Sequence, residues 1–261
     1  TLHKLGIWAV WNVSVQADLK ASTVNITYLD PAGLGLPDRD YYVKPELKDK
    51  LDAYKLHVSR MLALGGKQGP AADAGAADVL AIETEIAKLT KTAVEQRDIQ
   101  AAYNPTDAAG LARQVKAIDW RGYWKGVGAE PSRKLVLGTP KFFAAFDKLR
   151  AQFTFPQWAS YFTYHVLVEA AFTLPKPYDD EAFELQKALT GVEKRPDRSK
   201  RCIDATAGSL GELLGQQYAA KYFPATSKAM AVSYVDALVK VMGEEIGKLE
   251  WMSDDTRKTA I

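Results

Sequence analysis

Three histidines, one cysteine and a few paired acids are the side chains of this sequence best suited to chemistry. His3, His57 and His165 lie far apart along the chain, and none belongs to an H-E-x-x-H. The pair of helical histidines that grips zinc in many peptidases is therefore missing. His165 and Glu169 are four residues apart and can share a helix face, but Phe162, Val166, Leu167 and Phe172 surround them. A satisfied core histidine is expected there rather than a metal ligand. The stretch GLGLPDRDYY at 33–42 has glycines but no G-K-[ST] and no strand-to-helix setting, so it reads as a turn anchored by Tyr41 and Tyr42. Carboxylate pairs such as Asp179-Asp180 and Glu244-Glu245 fall where solvated helix ends and faces are expected, with no partner to split their roles into acid and base. Asn12-Val13-Ser14 and Asn25-Ile26-Thr27 match glycosylation sequons, a three-residue pattern common by chance. Residue chemistry alone assigns no catalytic, cofactor-binding or metal-binding position within the chain.

Composition narrows the classes further. The chain has 261 residues, 47% hydrophobic and 25% charged, enough for one large domain or two small ones with a real core. A formal net charge of +2 points to neither nucleic acid nor an acidic membrane surface. The basic run EKRPDRSKR (Lys194, Arg195, Arg198, Lys200, Arg201) is interrupted by Asp197, lacks interleaved aromatics, and reads as a solvated loop and helix start. Cys202 is the one cysteine, so no disulfide can close within the chain. A buried thiol is expected, the alternative being a bond to a cysteine outside these residues. No apolar stretch reaches the roughly 20 residues that a membrane helix needs.

The elements follow from periodicity. Trp11, Val13, Val15 and Ala17 alternate with polar residues, as do Val24, Ile26 and Tyr28, so a β-hairpin is predicted as the one convincing strand pair. A helix with Leu47, Leu51, Tyr54 and Val58 on one face should end at Gly65-Gly66. KQGPAADAGA reads as a loop. A long helix carrying Val79, Ile82, Ile86, Leu89 and Ala93 should follow, with Glu83, Glu85, Lys88 and Lys91 largely outside and an end near Pro105. Shorter helices are predicted at 107–117 and 140–152, with a wet, Gly-rich connection between them. The segment 156–174 is apolar nearly all round and reads as a buried central helix. Residues 198–222 and 226–250 read as two long helices broken at Phe223-Pro224; Ala231, Val235, Leu238, Met242, Ile246 and Leu249 form a stripe on the second. Ser253 reads as an N-cap with Asp254 and Asp255 in the first turn of another helix. That helix would be about two turns long at Ile261, and the chain opens on Thr1, so both ends read as cut. The fold class expected is mainly α: a multi-helical lobe with one small N-terminal β-hairpin.

Several of these segments also resemble a known family in order. GLGLPDRDYY resembles the G-L-G-L-P-x-R-D-Y-Y signature of the neprilysin and endothelin-converting-enzyme family of zinc metallopeptidases. IETEIAKLT, EQRDIQAAYNP, RSKRCIDAT, LGELLGQQYAAKYF, SKAMAVSYVDALVKVM and LEWMSDDTRKTA resemble its later motifs. The resemblance implies two largely helical lobes around a central cavity: one binds zinc through H-E-x-x-H and a downstream glutamate, and the other caps the cavity and limits which peptides enter. In the whole enzyme a zinc-bound water would attack the peptide carbonyl with a glutamate as base.

On that likeness residues 1–261 correspond to a single helical capping lobe: hairpin and turn-rich loop over 1–44, helical body over 45–250, and the lead-out helix from 251 to 261. The expected role is to wall the cavity and limit substrate size, with zinc bound by residues outside this chain. The expected partners are the catalytic zinc lobe, on the same protein or a separate chain, and peptide substrates in the assembled enzyme; nucleic acid is not expected. Inactivity of the chain alone and an extracytoplasmic, bacterial setting complete the expectation. Cys202 sits where secreted animal relatives place a cysteine bonded to one upstream, a partner this chain lacks. The alternative is a family-derived helical partner-binding module without peptidase activity.

Overall fold

A computed structural model describes residues 2–131 and 133–261, which fall into two compact units, one up to Glu193 and the other from Lys194 to Ile261. The hairpin predicted from alternation is present. Strand β1 (Trp11–Asp18) runs antiparallel to β2 (Ala21–Pro31), with Trp11 opposite Pro31 and Ala17 opposite Asn25. Two short strands extend the sheet: β3 (Pro105–Thr106) and β4 (Leu135–Leu137), in the order β1-β2-β4-β3, with β4 parallel to β2. The connection expected to be wet thus contains a buried strand, since Leu135, Val136 and Leu137 are each almost fully enclosed. Three consecutive apolar residues buried on both faces show no alternation, so periodicity could not reveal them.

The sheet separates two apolar clusters. Trp11, Leu29, Leu135 and Leu137 join the main core, whereas Ile26, Tyr28 and Val136 pack with Tyr103 on the opposite face. The hairpin tip is pinned to β4 by Asp18, which pairs with Lys134 Nζ at 2.8 Å and accepts from Tyr103 Oη at 2.7 Å. Those partners, Lys134 foremost and then the Lys20 amide, hold the Asp18 carboxyl down at about 2.

Nine helices of the first unit follow the sheet's hairpin in the described residues: α1 (Asp40–Val43), α2 (Lys48–Leu64), α3 (Pro70–Leu89), α4 (Ile99–Ala102), α5 (Ala108–Gln114), α6 (Trp120–Val127), α7 (Pro140–Gln152), α8 (Phe155–Ala170) and α9 (Lys176–Thr190). On α2, Tyr54, Val58, Met61 and Leu62 are fully buried, as their spacing predicts. The segment read as the loop KQGPAADAGA instead supplies the first turns of α3. Pro70 stands in its first turn, where the missing N–H costs nothing, and the alanines that follow are strong helix formers. Gly75 lets α3 approach α2: a Cβ there would lie 2.8 Å from Leu62 Cδ1. The helix ends at Leu89 rather than near Pro105, because Thr90 turns extended and its Oγ1 donates to the Ile86 carbonyl.

Helix α8 is central but not enclosed all round. Ser160, Tyr161 and Tyr164 are buried, whereas Phe155 and, just beyond the helix, Phe172 are exposed. Helices α6 and α9 were not anticipated. Asp119 caps α6 by accepting from the Gly122 amide, and Trp120 and Trp124 carry it into the core. Tyr178, Ala182, Leu185 and Leu189 pack α9 against that core.

The second unit contains α10 (Arg198–Tyr222), α11 (Ala225–Lys248) and α12 (Asp254–Ala260). The break at Phe223-Pro224 is where the sequence placed it. Leu210 leaves helical geometry inside α10 (φ −125°, ψ 22°), next to Gly208-Ser209 and Gly211, the kind of pairing at which helices kink. Ser253 caps α12 by accepting from the Thr256 amide at 3.2 Å, with Asp254 and Asp255 in the first turn, as read from the sequence. Arg257 ties α12 back by donating to the Gly247 and Met252 carbonyls.

Candidate functional site

The polar centre of the first unit is built on a residue expected to lie largely outside. Glu83 lies on α3 with no exposed surface. Its Oε2 accepts from Tyr42 Oη at 2.7 Å and from Tyr54 Oη at 2.8 Å, and His165 Nε2 of α8 stands 3.0 Å from Oε1, without hydrogen-bond alignment. A buried carboxylate needs partners of this kind, since an isolated charge in an apolar interior is too costly to persist. His165 is half-buried and faces an acid from α3 rather than Glu169, which is exposed on its own helix; with no aligned hydrogen bond at its Nε2 it is not the satisfied core histidine expected.

This centre explains GLGLPDRDYY. Tyr42 Oη, while donating to Glu83, accepts from the Leu36 amide at 3.0 Å. Tyr161 Oη accepts from the Val10 amide at 3.1 Å and donates to the Gly33 carbonyl at 2.9 Å. Gly33 and Gly35 lack side chains because tyrosine hydroxyls occupy the space: a Cβ would lie 2.0 Å from Tyr161 Oη at the first and 1.9 Å from Tyr54 Oη at the second. Asp38 accepts from the Asp40 amide at 2.7 Å, opening α1, and Arg39 Nη1 donates to the Thr90 carbonyl at 3.1 Å. The motif is a clamp joining the sheet, α1, α2, α3 and α8, and of the anchoring tyrosines Tyr42 is the buried one.

Burial first, and the Glu83 charge second, push Tyr42, Tyr54, Tyr161 and Tyr164 well above the ordinary tyrosine value of 10.0. Above pH 10 the unfolded chain releases phenolic protons that the folded chain keeps. Stability therefore falls as pH rises past 10. In an absorbance titration at 295 nm, these four tyrosines should stay silent until the fold is lost, and then appear together with the unfolding signal. Four that titrate smoothly with the exposed tyrosines would contradict the enclosure.

The other sequence-singled residues stay apart. His3 bonds Tyr123 Oη and the Ala9 carbonyl, both at 2.8 Å, and His57 faces Glu181 Oε1 at 3.3 Å. Among the described residues no group of three or more His, Cys, Asp or Glu is placed to hold a metal. The three histidines face different partners, Tyr123, Glu181 and Glu83, so the described residues bring no three such ligands together for zinc. Cys202 is exposed rather than buried, because α10 has no buried residue at all. The basic run 194–201 lies in the loop before α10 and its first turn, where Lys194, Arg198 and Lys200 are exposed. Among the described residues no helix is long and apolar enough to cross a membrane.

The second unit offers the other functional feature. Neither α10 nor α11 contains a buried residue, yet both are rich in large apolar side chains. On α11 the predicted stripe is present but uncovered, with Val235 58%, Leu238 68% and Met242 63% exposed. Tyr234, Val239 and Val241 extend the apolar surface around it, and Leu213, Leu214, Tyr218 and Tyr222 do the same on α10. Large apolar side chains exposed in this number are the kind of surface that a partner covers.

Comparison with known proteins bears on both features. The sequence profile of Peptidase family M13 matches residues 1–261. A neutral endopeptidase of Lactobacillus helveticus is 25% identical over 247 residues, covering 95% of this chain and 38% of that protein. Endothelin-converting enzyme 1 of Cavia porcellus is 28% identical over 257 residues, covering 96% and 34%. The structure of the zinc metalloprotease Zmp1 of Mycobacterium tuberculosis in complex with an inhibitor superimposes with a TM-score of 0.90 at 28% identity, over 99% of this chain and 40% of that one. The chain thus spans between a third and two-fifths of the length of these relatives. Matched from end to end by the profile of its N-terminal domain, the chain belongs to Peptidase family M13.

Proposed function

We propose that this chain is the non-catalytic capping part of a neprilysin-like zinc metalloendopeptidase, and that its partner is the catalytic lobe. The observation that carries this reading is the uncovered apolar face of α11. A helix with a broad apolar face is stable in water only when something covers that face. In a family whose members extend well beyond the region matched here, a catalytic lobe is the natural cover. The first unit, with its rigid tyrosine-lined centre, would then wall the cavity and limit which peptides enter, which sets selectivity rather than bond cleavage. Zinc would be held by residues outside 1–261, and the peptide substrates would meet this chain only in the assembled enzyme. An extracytoplasmic location is proposed by analogy with secreted or surface relatives.

The test is assembly. The chain is produced alone and together with a polypeptide carrying H-E-x-x-H from the same family, then analysed by native mass, zinc content and peptide hydrolysis. The expected result is a complex holding about one zinc, active only when both parts are present. Leu238→Asp combined with Met242→Asp should weaken that association by more than about 100-fold, since each charge would have to be buried without a partner. A chain that stays monomeric, folded and metal-free in the presence of that polypeptide would overturn the proposal and favour a partner-binding module without peptidase activity.

A further inference from the structure

The first unit carries a pocket of about 680 Å³, open to solvent on one side, between the start of β1, α7 and α8, within the size range of small-molecule sites. Its walls are aromatic: Trp11, Phe146, Phe153, Trp158 and Phe162. The polar atoms of those walls are already engaged. Trp11 Nε1 donates to Tyr123 Oη at 3.3 Å, Tyr123 Oη also meets His3 Nδ1, and Trp158 Nε1 donates to the Arg150 carbonyl at 3.1 Å. Burial lowers the His3 pKa, disfavouring a charged ring there.

Arg150 is the one Asp, Glu, Lys or Arg among the residues that line the pocket; it is exposed and forms no ion pair with a carboxylate among the described residues. Asp147, one turn earlier on α7, is spent elsewhere: it accepts from the Lys116 and Ala117 amides at 2.8 and 3.0 Å. An apolar cavity with a single cation that cannot be deprotonated selects one kind of ligand. Its body must be apolar and its end anionic, and guanidinium geometry favours a carboxylate.

We propose that this cavity binds a carboxylate carried on an aromatic or branched aliphatic body, with the body among Trp11, Phe146, Trp158 and Phe162 and the carboxylate on Arg150. The site lies wholly within the first unit and does not depend on the peptidase reading. A free small acid and the C-terminus of a peptide share this chemistry.

The test titrates the 261-residue chain with N-acetyl-L-phenylalanine and with its amide, by calorimetry and by tryptophan fluorescence. Saturable binding is expected, with the acid about tenfold tighter than the amide, the usual contribution of a charge-assisted hydrogen bond. Arg150→Gln should abolish that preference while leaving binding of the amide unchanged. It should not disturb the fold, because only the Arg150 main chain bonds Trp158. Ala159→Phe, on the lining, should fill the cavity and weaken both ligands at least tenfold. Gly-Gly-Phe separates the sources: binding equal to that of the acetylated residue assigns the site to chain ends, and its exclusion assigns the site to free acids, both within the proposal. No saturable binding, equal affinity for acid and amide, or an acid preference that survives Arg150→Gln overturns it.

Discussion

Glu83→Ala is expected to destabilise the first unit by about 3–5 kcal/mol, the usual consequence of removing one partner from a buried charged cluster. For a unit of this size the midpoint of thermal unfolding should fall by roughly 10 °C. The physical cause is what remains behind. Tyr42 and Tyr54 both donate to Glu83, and His165 faces it from α8. Without the carboxylate those groups are buried donors with no acceptor, each costing about 1–3 kcal/mol when water cannot reach it. Tyr54→Phe, which removes one donor and leaves Glu83 its other partners, should cost only about 1 kcal/mol.

The informative variant is the triple one, Glu83→Leu with Tyr42→Phe and Tyr54→Phe. Removing acceptor and donors together should recover much of the loss, since apolar groups of similar shape can replace a satisfied polar cluster at little cost. Urea unfolding of the 261-residue chain, followed by near-ultraviolet circular dichroism, measures all three. A Glu83→Ala loss below about 1 kcal/mol, or a triple variant no better than the single one, would show that the cluster does not hold these elements together.

Glu83 also shows where sequence reading stops. The spacing of Val79, Ile82 and Ile86 located the core face of α3 correctly, and Glu83, four residues after Val79 and three before Ile86, lies on that same face; its charge, not its position, made it read as solvated. Its burial depends on hydroxyls from residues 42 and 54 and a ring from residue 165, which no local pattern connects. Features set by local chemistry were legible: the alternation of β1 and β2, the Gly65-Gly66 end of α2, the Pro224 break and the Ser253 cap. Helix α9 was not predicted, although Tyr178, Ala182, Leu185 and Leu189 recur at the helical spacings of 4, 3 and 4. Strand β4 was not, because three residues carry no period. The stripe of α11 was read from its spacing, and here the pattern told half of the matter. Periodicity states that a face is to be covered; it does not state by what. The cavity beside Arg150 draws its walls from residues as distant as Trp11 and Phe162, and only the folded chain brings them together.

Gly33→Ala should cost about 3–5 kcal/mol, far more than the same change at a glycine of similar backbone geometry. Gly33 has φ +79°, and Gly128, the end cap of α6, has φ +73°. Both substitutions incur the strain of left-handed backbone, about 1–2 kcal/mol. At Gly128 a Cβ would meet nothing within 4 Å, so the cost should stop there. At Gly33 it would lie 2.0 Å from Tyr161 Oη and 2.5 Å from the Val10 nitrogen, and the second of these is backbone that cannot swing aside. Tyr161 must then leave, and its hydroxyl is what satisfies the buried Val10 amide and the Gly33 carbonyl at once. Val10 itself holds φ +72°, so the segment pinned by that hydroxyl is already strained and has little freedom to adjust. Gly33→Ala should therefore loosen the junction of β1 with the 33–42 loop, visible as faster amide exchange at Val10 and Leu36. The double change Gly33→Ala with Tyr161→Phe should cost less than the sum of the two single ones, because both remove the same hydroxyl contact. If Gly33→Ala and Gly128→Ala lose equal stability, backbone strain accounts for both, and the crowding that explains why the motif needs glycine at position 33 is not there.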